Sequence, residues 1–189
     1  MIDEARTADE DHGIRGMAYG WNDMSGVFYD ALTGDIKTIA ERFCGENVIE
    51  TYDCFRVYAG PCGLPVHVDR LACDISVAVN LWADVDWPLM FWENGGVTQV
   101  NLQPGMFVIY EGCKTPHWRS SITLETDKTV AQVFFHYIRG SHPMAPDLAG
   151  DSMERSEQIR NRALLGGREY DSLVREIGEK LDLEYHIGH

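Results

Sequence analysis

Between residues 48 and 138 the chain is a succession of short apolar runs, each ended by Gly, Pro, Asn or Asp, and none of the intervening stretches has a helical period. A parallel sheet needs a crossover of a dozen or more residues, usually a helix, between consecutive strands. With no helix to supply it, the strands are expected to be antiparallel. The runs are 48–59, 73–82, 87–92, 97–102, 106–110 and 129–138, with a further strand beginning at His117. In 73–82, Ile75, Val77, Val79 and Leu81 alternate with Ser76, Ala78 and Asn80, the two-residue period of a strand. Gly60-Pro61-Cys62-Gly63 reads as a turn that delivers His67, and Asn94-Gly95-Gly96 as a hairpin turn that requires positive φ. Roughly eight strands at this spacing predict a closed or double-sheet antiparallel architecture.

The flanks differ from this core. Ile36, Ile39, Ala40 and Phe43 recur at helical spacing, with Gly34-Asp35 as the expected cap and Gly45 as the stop. Residues 1–33 are polar and Gly-rich with scattered aromatics, and are expected to be a covering segment in which Trp21 is a candidate for lining a substrate entrance. After Arg139 the stretch 140–146 reads as a linker, followed by helical patterns at 152–165 and 169–183 separated by Gly166-Gly167. Leu173, Val174, Ile177 and Leu181 form one apolar stripe, expected to buttress the sheet or a neighbouring subunit, the latter giving a homodimer. The expected division is therefore 1–33, 34–139 and 140–189, all within one domain.

Composition excludes several partners. A formal charge of −14, from 16 basic and 30 acidic residues, leaves no concentrated basic face for a nucleic acid. No apolar run approaches membrane-spanning length, so no membrane partner is expected. The 5 cysteines are odd in number and include no CxxC pair, which favours reduced thiols over a disulfide framework. With an acidic start, Met1-Ile2-Asp3-Glu4, that lacks an apolar signal core, the expectation is a cytoplasmic protein.

The chemistry concentrates in His67-Val68-Asp69 and the distant His117. Alternate side chains of an extended segment share a face, so His67 and Asp69 can bind one ion, and His117 would complete a set of two imidazoles and one carboxylate. That facial set suits non-haem Fe(II) and leaves positions open. The competing reading is of two structural histidines and an Asp69 paired with Arg70. Both histidines lie just after a proline, Pro65 and Pro116, at strand–turn junctions where a barrel mouth would be. His136 and His142 lack ligand spacing and read as structural or exposed. Trp82, Trp87, Trp92 and Trp118 read as core.

Residues 58–69, Pro104-Gly105, residues 110–119 (Tyr-Glu-Gly-Cys-Lys-Thr-Pro-His-Trp-Arg) and residues 131–137 (Ala-Gln-Val-Phe-Phe-His-Tyr) occur in the order of a known family. Together they resemble the prolyl-4-hydroxylase-like branch of the 2-oxoglutarate and Fe(II)-dependent oxygenases. The resemblance implies a mainly β fold, a double-stranded β-helix (jelly roll, cupin-like barrel), with a short N-terminal helix and C-terminal helices packed outside. His67, Asp69 and His117 match the family's iron ligands. Lys128 matches the cation that binds the distal carboxylate of 2-oxoglutarate, the alternative being a solvated loop lysine. Arg119 competes for that role, because on a strand starting at His117 it would lie two residues deeper on the same face, about 6.6 Å away; it could instead take a substrate carboxylate or pair at the barrel rim. Tyr58 matches a co-substrate-binding tyrosine, though a packing tyrosine fits equally. Asn80 is a further candidate for the co-substrate, with a satisfied core amide as the alternative.

The implied activity is that of a dioxygenase using Fe(II), 2-oxoglutarate and O2 to hydroxylate an unactivated C–H bond of a small molecule or peptide, releasing succinate and CO2. Other outcomes stay open at this point. They are desaturation, a non-oxidative cupin-like barrel that binds a metal or small molecule, and a catalytically silent interaction protein acting through the C-terminal helical pair.

Overall fold

The computed structural model describes residues 17–21, 29–150 and 170–187. Two antiparallel sheets lie face to face. After β1 (Met17–Trp21) come two short helices, α1 (Tyr29–Thr33) and α2 (Asp35–Cys44), and then eight strands. These are β2 (Val48–Tyr58), β3 (Pro61–His67), β4 (Ile75–Ala83), β5 (Leu89–Glu93), β6 (Gly96–Val100), β7 (Phe107–Tyr110), β8 (His117–Thr123) and β9 (Val130–Arg139). The chain closes with the single turn α3 (Ala145–Leu148) and helix α4 (Asp171–Leu181). One sheet runs β1-β2-β9-β4-β7 and the other β3-β8-β5-β6, the strand order of a jelly roll that remains a sandwich of two open sheets.

Strand alternation assigns the side chains to layers. The outer face of the first sheet, with Val77, Val133, Phe135 and Tyr137, is buried under Ala40 and Ile36 of α2. The outer face of the second, with Val66 and Trp118, is buried under Val174 and Ile177 of α4. Cys54, Ala78, Phe91, Tyr110 and Phe134 meet between the sheets. At one end of the sandwich Tyr58, Cys62, Trp87, Leu124 and Val130 pack together and close it. The opposite end is where β3 stops, β8 starts and β9 finishes.

Several expectations shift. The stretch after Gly60 is the strand β3, because Leu64 and His67 find partners on β8 across two register irregularities, even though it carries two prolines and a glycine. Gly34 occupies the N-cap of α2 without a side-chain cap, which a residue with no side chain cannot provide. The expected linker contains α3, whose Ala145 and Leu148 are buried. Asn94 and Gly95 do adopt positive φ, 53° and 78°, in the β5–β6 hairpin. The helical pattern at 152–165 and the side chain of Trp21 lie outside the described residues. All 5 cysteines are free thiols. Among the described residues no helix is long and apolar enough to cross a membrane.

Beyond α4 the tail turns back along β3: Val66 donates its N–H to Glu184 O, and His186 donates its own to Val66 O. Gly178 makes this approach possible, since any Cβ there would collide with the Tyr185 ring. Helix α4 is thus a wall of its own sheet. Ile177→Ala should lower folding stability by about 2–5 kcal/mol, the cost of truncating a fully buried Ile, read as a lower denaturant midpoint with an unchanged m-value.

Candidate metal centre

The pairing of β3 with β8 sets His67 directly opposite His117, the last residue of one strand against the first of the other. In both rings Nδ1 hydrogen-bonds the backbone carbonyl two residues earlier, Pro65 for His67 and Thr115 for His117, each at 2.9 Å. A carbonyl only accepts, so Nδ1 carries the proton and the lone pair of Nε2 is left bare. Both Nε2 atoms converge on Asp69 Oδ1, at 3.5 Å and 3.6 Å. The three ligand atoms lie within 4.8 Å of one another, which fits one ion held by two imidazoles and one carboxylate oxygen. The rings of Phe91 and Tyr110 flank His117.

The loops that carry these ligands are tied down. Asp69 N–H donates to Gly112 O at 2.9 Å, and Gly112 N–H to Asp74 O at 3.1 Å. Arg139 at the end of β9 binds Asp74 (Nη1 to Oδ1, 2.6 Å) and Glu111 together, joining the loop after β3 to the loop before β8. Gly112 admits no side chain, because a Cβ there would run into Asp69 Oδ2, Cys73 O and Ser76 Oγ. Ser76 Oγ donates to Asp69 Oδ2 at 3.0 Å and lies 3.1 Å from His136 Nδ1. His136 is therefore buried against the centre, and Asp69, Cys73 and His136 form a second close group.

Burial opposes ionisation of Asp69, but the His117 and His67 imidazoles outweigh it and hold the carboxyl well below the usual range. Burial, reinforced by His67, pushes His117 down to about 4. Burial likewise pushes His136 down to about 3. At neutral pH the Asp69 carboxylate therefore stands beside neutral His117 and His136 imidazoles, and deprotonated groups are what a cation needs.

Deeper between the sheets lies a polar layer. Arg119, 3% exposed, reaches inward from β8, donating through Nη1 to Trp87 O and through Nη2 to Gln132 Oε1 at 3.1 Å. Its guanidinium lies 4.7 Å from the centre of the Trp87 ring, whose other neighbour is Tyr58 at 4.9 Å. Among the described residues the buried Tyr58 hydroxyl has no hydrogen-bond partner, and neither has Asn80 Oδ1. Asn80 pairs in register with Gln132, as does Arg56 from the other side. The Asn80 amide already donates to Leu102 O at 2.6 Å.

Lys128, the first candidate for the co-substrate cation, sits in the Glu125–Lys128 turn, half-buried and acting on the half-buried Asp84, outside the polar layer. The turn before β9 leaves its chain at the surface, whereas β8 carries Arg119 straight inward. Gly112, Gln132 and His136 fall inside the motifs at 110–119 and 131–137 without a role assigned to them, and Ser76 and Arg56 lie outside the motifs. The available signal was strand parity, which puts Ser76 and Asn80, or Gln132 and His136, on one face.

No family model matches the sequence, and no curated protein matches it. Solved structures do match in fold. The non-heme alpha ketoglutarate dependent epimerase SnoN from nogalamycin biosynthesis superposes with a TM-score of 0.56 at 15% identity, over 67% of this chain and 62% of that one. This chain therefore spans less than two thirds of SnoN. HygX from Streptomyces hygroscopicus, with nickel and 2-oxoglutarate bound, gives 0.55 at 10% identity over 79% and 84%. A Pseudomonas putida prolyl-4-hydroxylase gives 0.51 at 17% identity over 67% and 73%. At these identities the likeness is one of fold.

The buried imidazoles predict an acid-sensitive metal-free protein. Between about 3, the folded value of His136, and 6.5, that of a free imidazole, the unfolded chain binds more protons, so stability is full above 6.5 and falls as the pH drops. The thermal midpoint of the metal-free protein should be lower at pH 5 than at pH 7.5. A His136→Asn variant should show a shallower slope.

Proposed function

We propose that this chain is an Fe(II)- and 2-oxoglutarate-dependent dioxygenase that hydroxylates an unactivated C–H bond of a small molecule or peptide and releases succinate and CO2. The observation that carries the reading is a buried cation at a fixed depth behind a three-ligand metal site. Among the described residues Arg119 has no carboxylate partner, only a carbonyl and a carboxamide. A buried charge without a counter-ion is costly, and burial accordingly lowers the basicity of its guanidinium. A dicarboxylate bound at the metal by one end would bring its other carboxylate to this cation, two residues deeper on β8 or about 6.6 Å. Tyr58, whose hydroxyl lacks a partner, stands beside the same tryptophan and can donate to that carboxylate.

Each part of the chain then has a task. His67, His117 and Asp69 Oδ1 are the residues that would hold the iron. Arg119 and Tyr58 orient the co-substrate, while the Trp87–Leu124–Val130 cluster seals the end behind them against water. Iron with 2-oxoglutarate and O2 supplies the oxidation, coupling loss of CO2 from the co-substrate to attack on a C–H bond. The substrate approaches from the metal end, since the other is closed. SnoN is an epimerase and the Pseudomonas putida protein a prolyl-4-hydroxylase, so this fold supports more than one outcome. Hydroxylation is the reading adopted for this chain. A metal-binding barrel without oxidation chemistry would have no use for a buried arginine and a bare tyrosine hydroxyl at that depth.

The purified protein supplied with Fe(II), 2-oxoglutarate and O2 should form succinate, and His67→Ala should not. Succinate formation equal in the two proteins would sink the reading. For the clamp, Arg119→Gln should weaken 2-oxoglutarate binding about 10–100-fold, the loss of a charge-assisted hydrogen bond. Lys128→Gln should leave it near wild type in the same titration, and the reverse pattern would return the role to Lys128.

A further inference from the structure

We propose that Ser76 and His136 are positioning residues that restrict Asp69 to single-oxygen coordination and thereby keep an additional position on the metal open. The proposal rests on the iron-site reading above and extends it to two residues that do not touch the metal.

The two oxygens of Asp69 have separate surroundings. Oδ1 faces both histidine Nε2 atoms. Oδ2 faces the other way, accepts from Ser76 Oγ at 3.0 Å and abuts Gly112 so closely that the glycine can carry no Cβ. A serine hydroxyl has one proton, and here it has two acceptors to choose between, Asp69 Oδ2 and the more distant Cys73 O at 3.3 Å. The nearer, charged carboxylate is the better acceptor, and His136 decides whether it has a further competitor. When its Nδ1 carries the hydrogen and donates to Ser76 Oγ across 3.1 Å, the hydroxyl is polarised and its own proton goes to the carboxylate. The imidazole is held for this by the Tyr52 ring, 4.4 Å away between centroids, and by Phe134, stacked parallel at 6.4 Å.

The consequence concerns coordination number. An octahedral ion with three protein ligands has three positions left. A chelating co-substrate would need two of these, so a second Asp69 oxygen would compete for the remaining one. If Asp69 turned its second oxygen to the metal, that position would be lost. The Ser76 hydrogen bond on Oδ2, with the Gly112 backbone pressed against it, opposes that rotation. Such partners behind a ligand typically alter metal affinity about 10–100-fold.

The test uses Mn(II) as the probe on the full chain. Affinity is measured by competition with a chelator, and the number of exchangeable waters on bound Mn(II) by water-proton relaxation. Ser76→Ala and His136→Leu should weaken Mn(II) binding about 10–100-fold and leave one fewer exchangeable water. His136→Asn, which keeps an N–H near the position of Nδ1, should restore both toward wild type, and the metal-free thermal midpoints serve to separate positioning from packing. Wild-type affinity and hydration in Ser76→Ala would overturn the positioning role while leaving the iron site standing. Weakened binding that tracks a loss of thermal midpoint, without rescue by His136→Asn, would reduce the pair to packing and also overturn it. Failure of the wild-type protein to bind Mn(II) at all would instead remove the iron-site reading, and this one with it.

Discussion

The register between β3 and β8 is the constraint on which the site depends. It sets His67 against His117 across the ladder, and a slip of one residue would turn each imidazole to the opposite face of the sheet. The register is held from behind, because Val66 and Trp118 must stay under Val174 and Ile177. Burial of apolar surface on the outer face thus fixes the candidate ligands His67 and His117 on the inner one. The Arg139 ion pairs add a second restraint, tying the two ligand-bearing loops to the end of β9.

A protein with a net charge of −14 keeps arginines, Arg119 and Arg56, among the interior-facing residues of its sandwich. Among the described residues the hydrogen-bond partners of Arg119 are neutral, and Arg56 lies nearby as a second cation, so the Arg119 charge is compensated by dipoles and by the Trp87 ring. Arrangements of this kind cost stability in the empty protein and recover it when an anion arrives. The same logic applies to the bare Tyr58 hydroxyl. Polar groups that folding leaves under-compensated are those a ligand can satisfy.

Much of the fold was legible because alternation in 73–82 and 129–138 and the Asn94-Gly95 turn are local signals that packing had no reason to override. Strand β3 was not legible, since Pro61, Gly63 and Pro65 argue against a strand and only pairing with β8 makes it one. The metal triad could be read from spacing and motif order, and the three side chains do meet. The cation was harder. Lys128 and Arg119 differ in sequence by little, and what separates them is that a turn leaves one half-buried outside the polar layer while a strand buries the other within it. Strand parity puts Ser76 with Asn80 and Gln132 with His136 on one face each, but that Ser76, Gly112 and His136 meet at Asp69 depends on contacts between distant segments, which no local pattern records.

The tail after α4 has a bearing on what can reach this centre. Within its sheet β3 is the outermost strand, and an unpaired outer strand is a template on which an extended peptide can lay itself down by backbone hydrogen bonding. Glu184 and His186 already occupy the backbone groups of Val66, next to His67. An incoming chain is thus denied the two backbone hydrogen bonds of that edge nearest His67. At this point of β3 the template is satisfied by the chain's own tail, which closes it to the addition of a further strand.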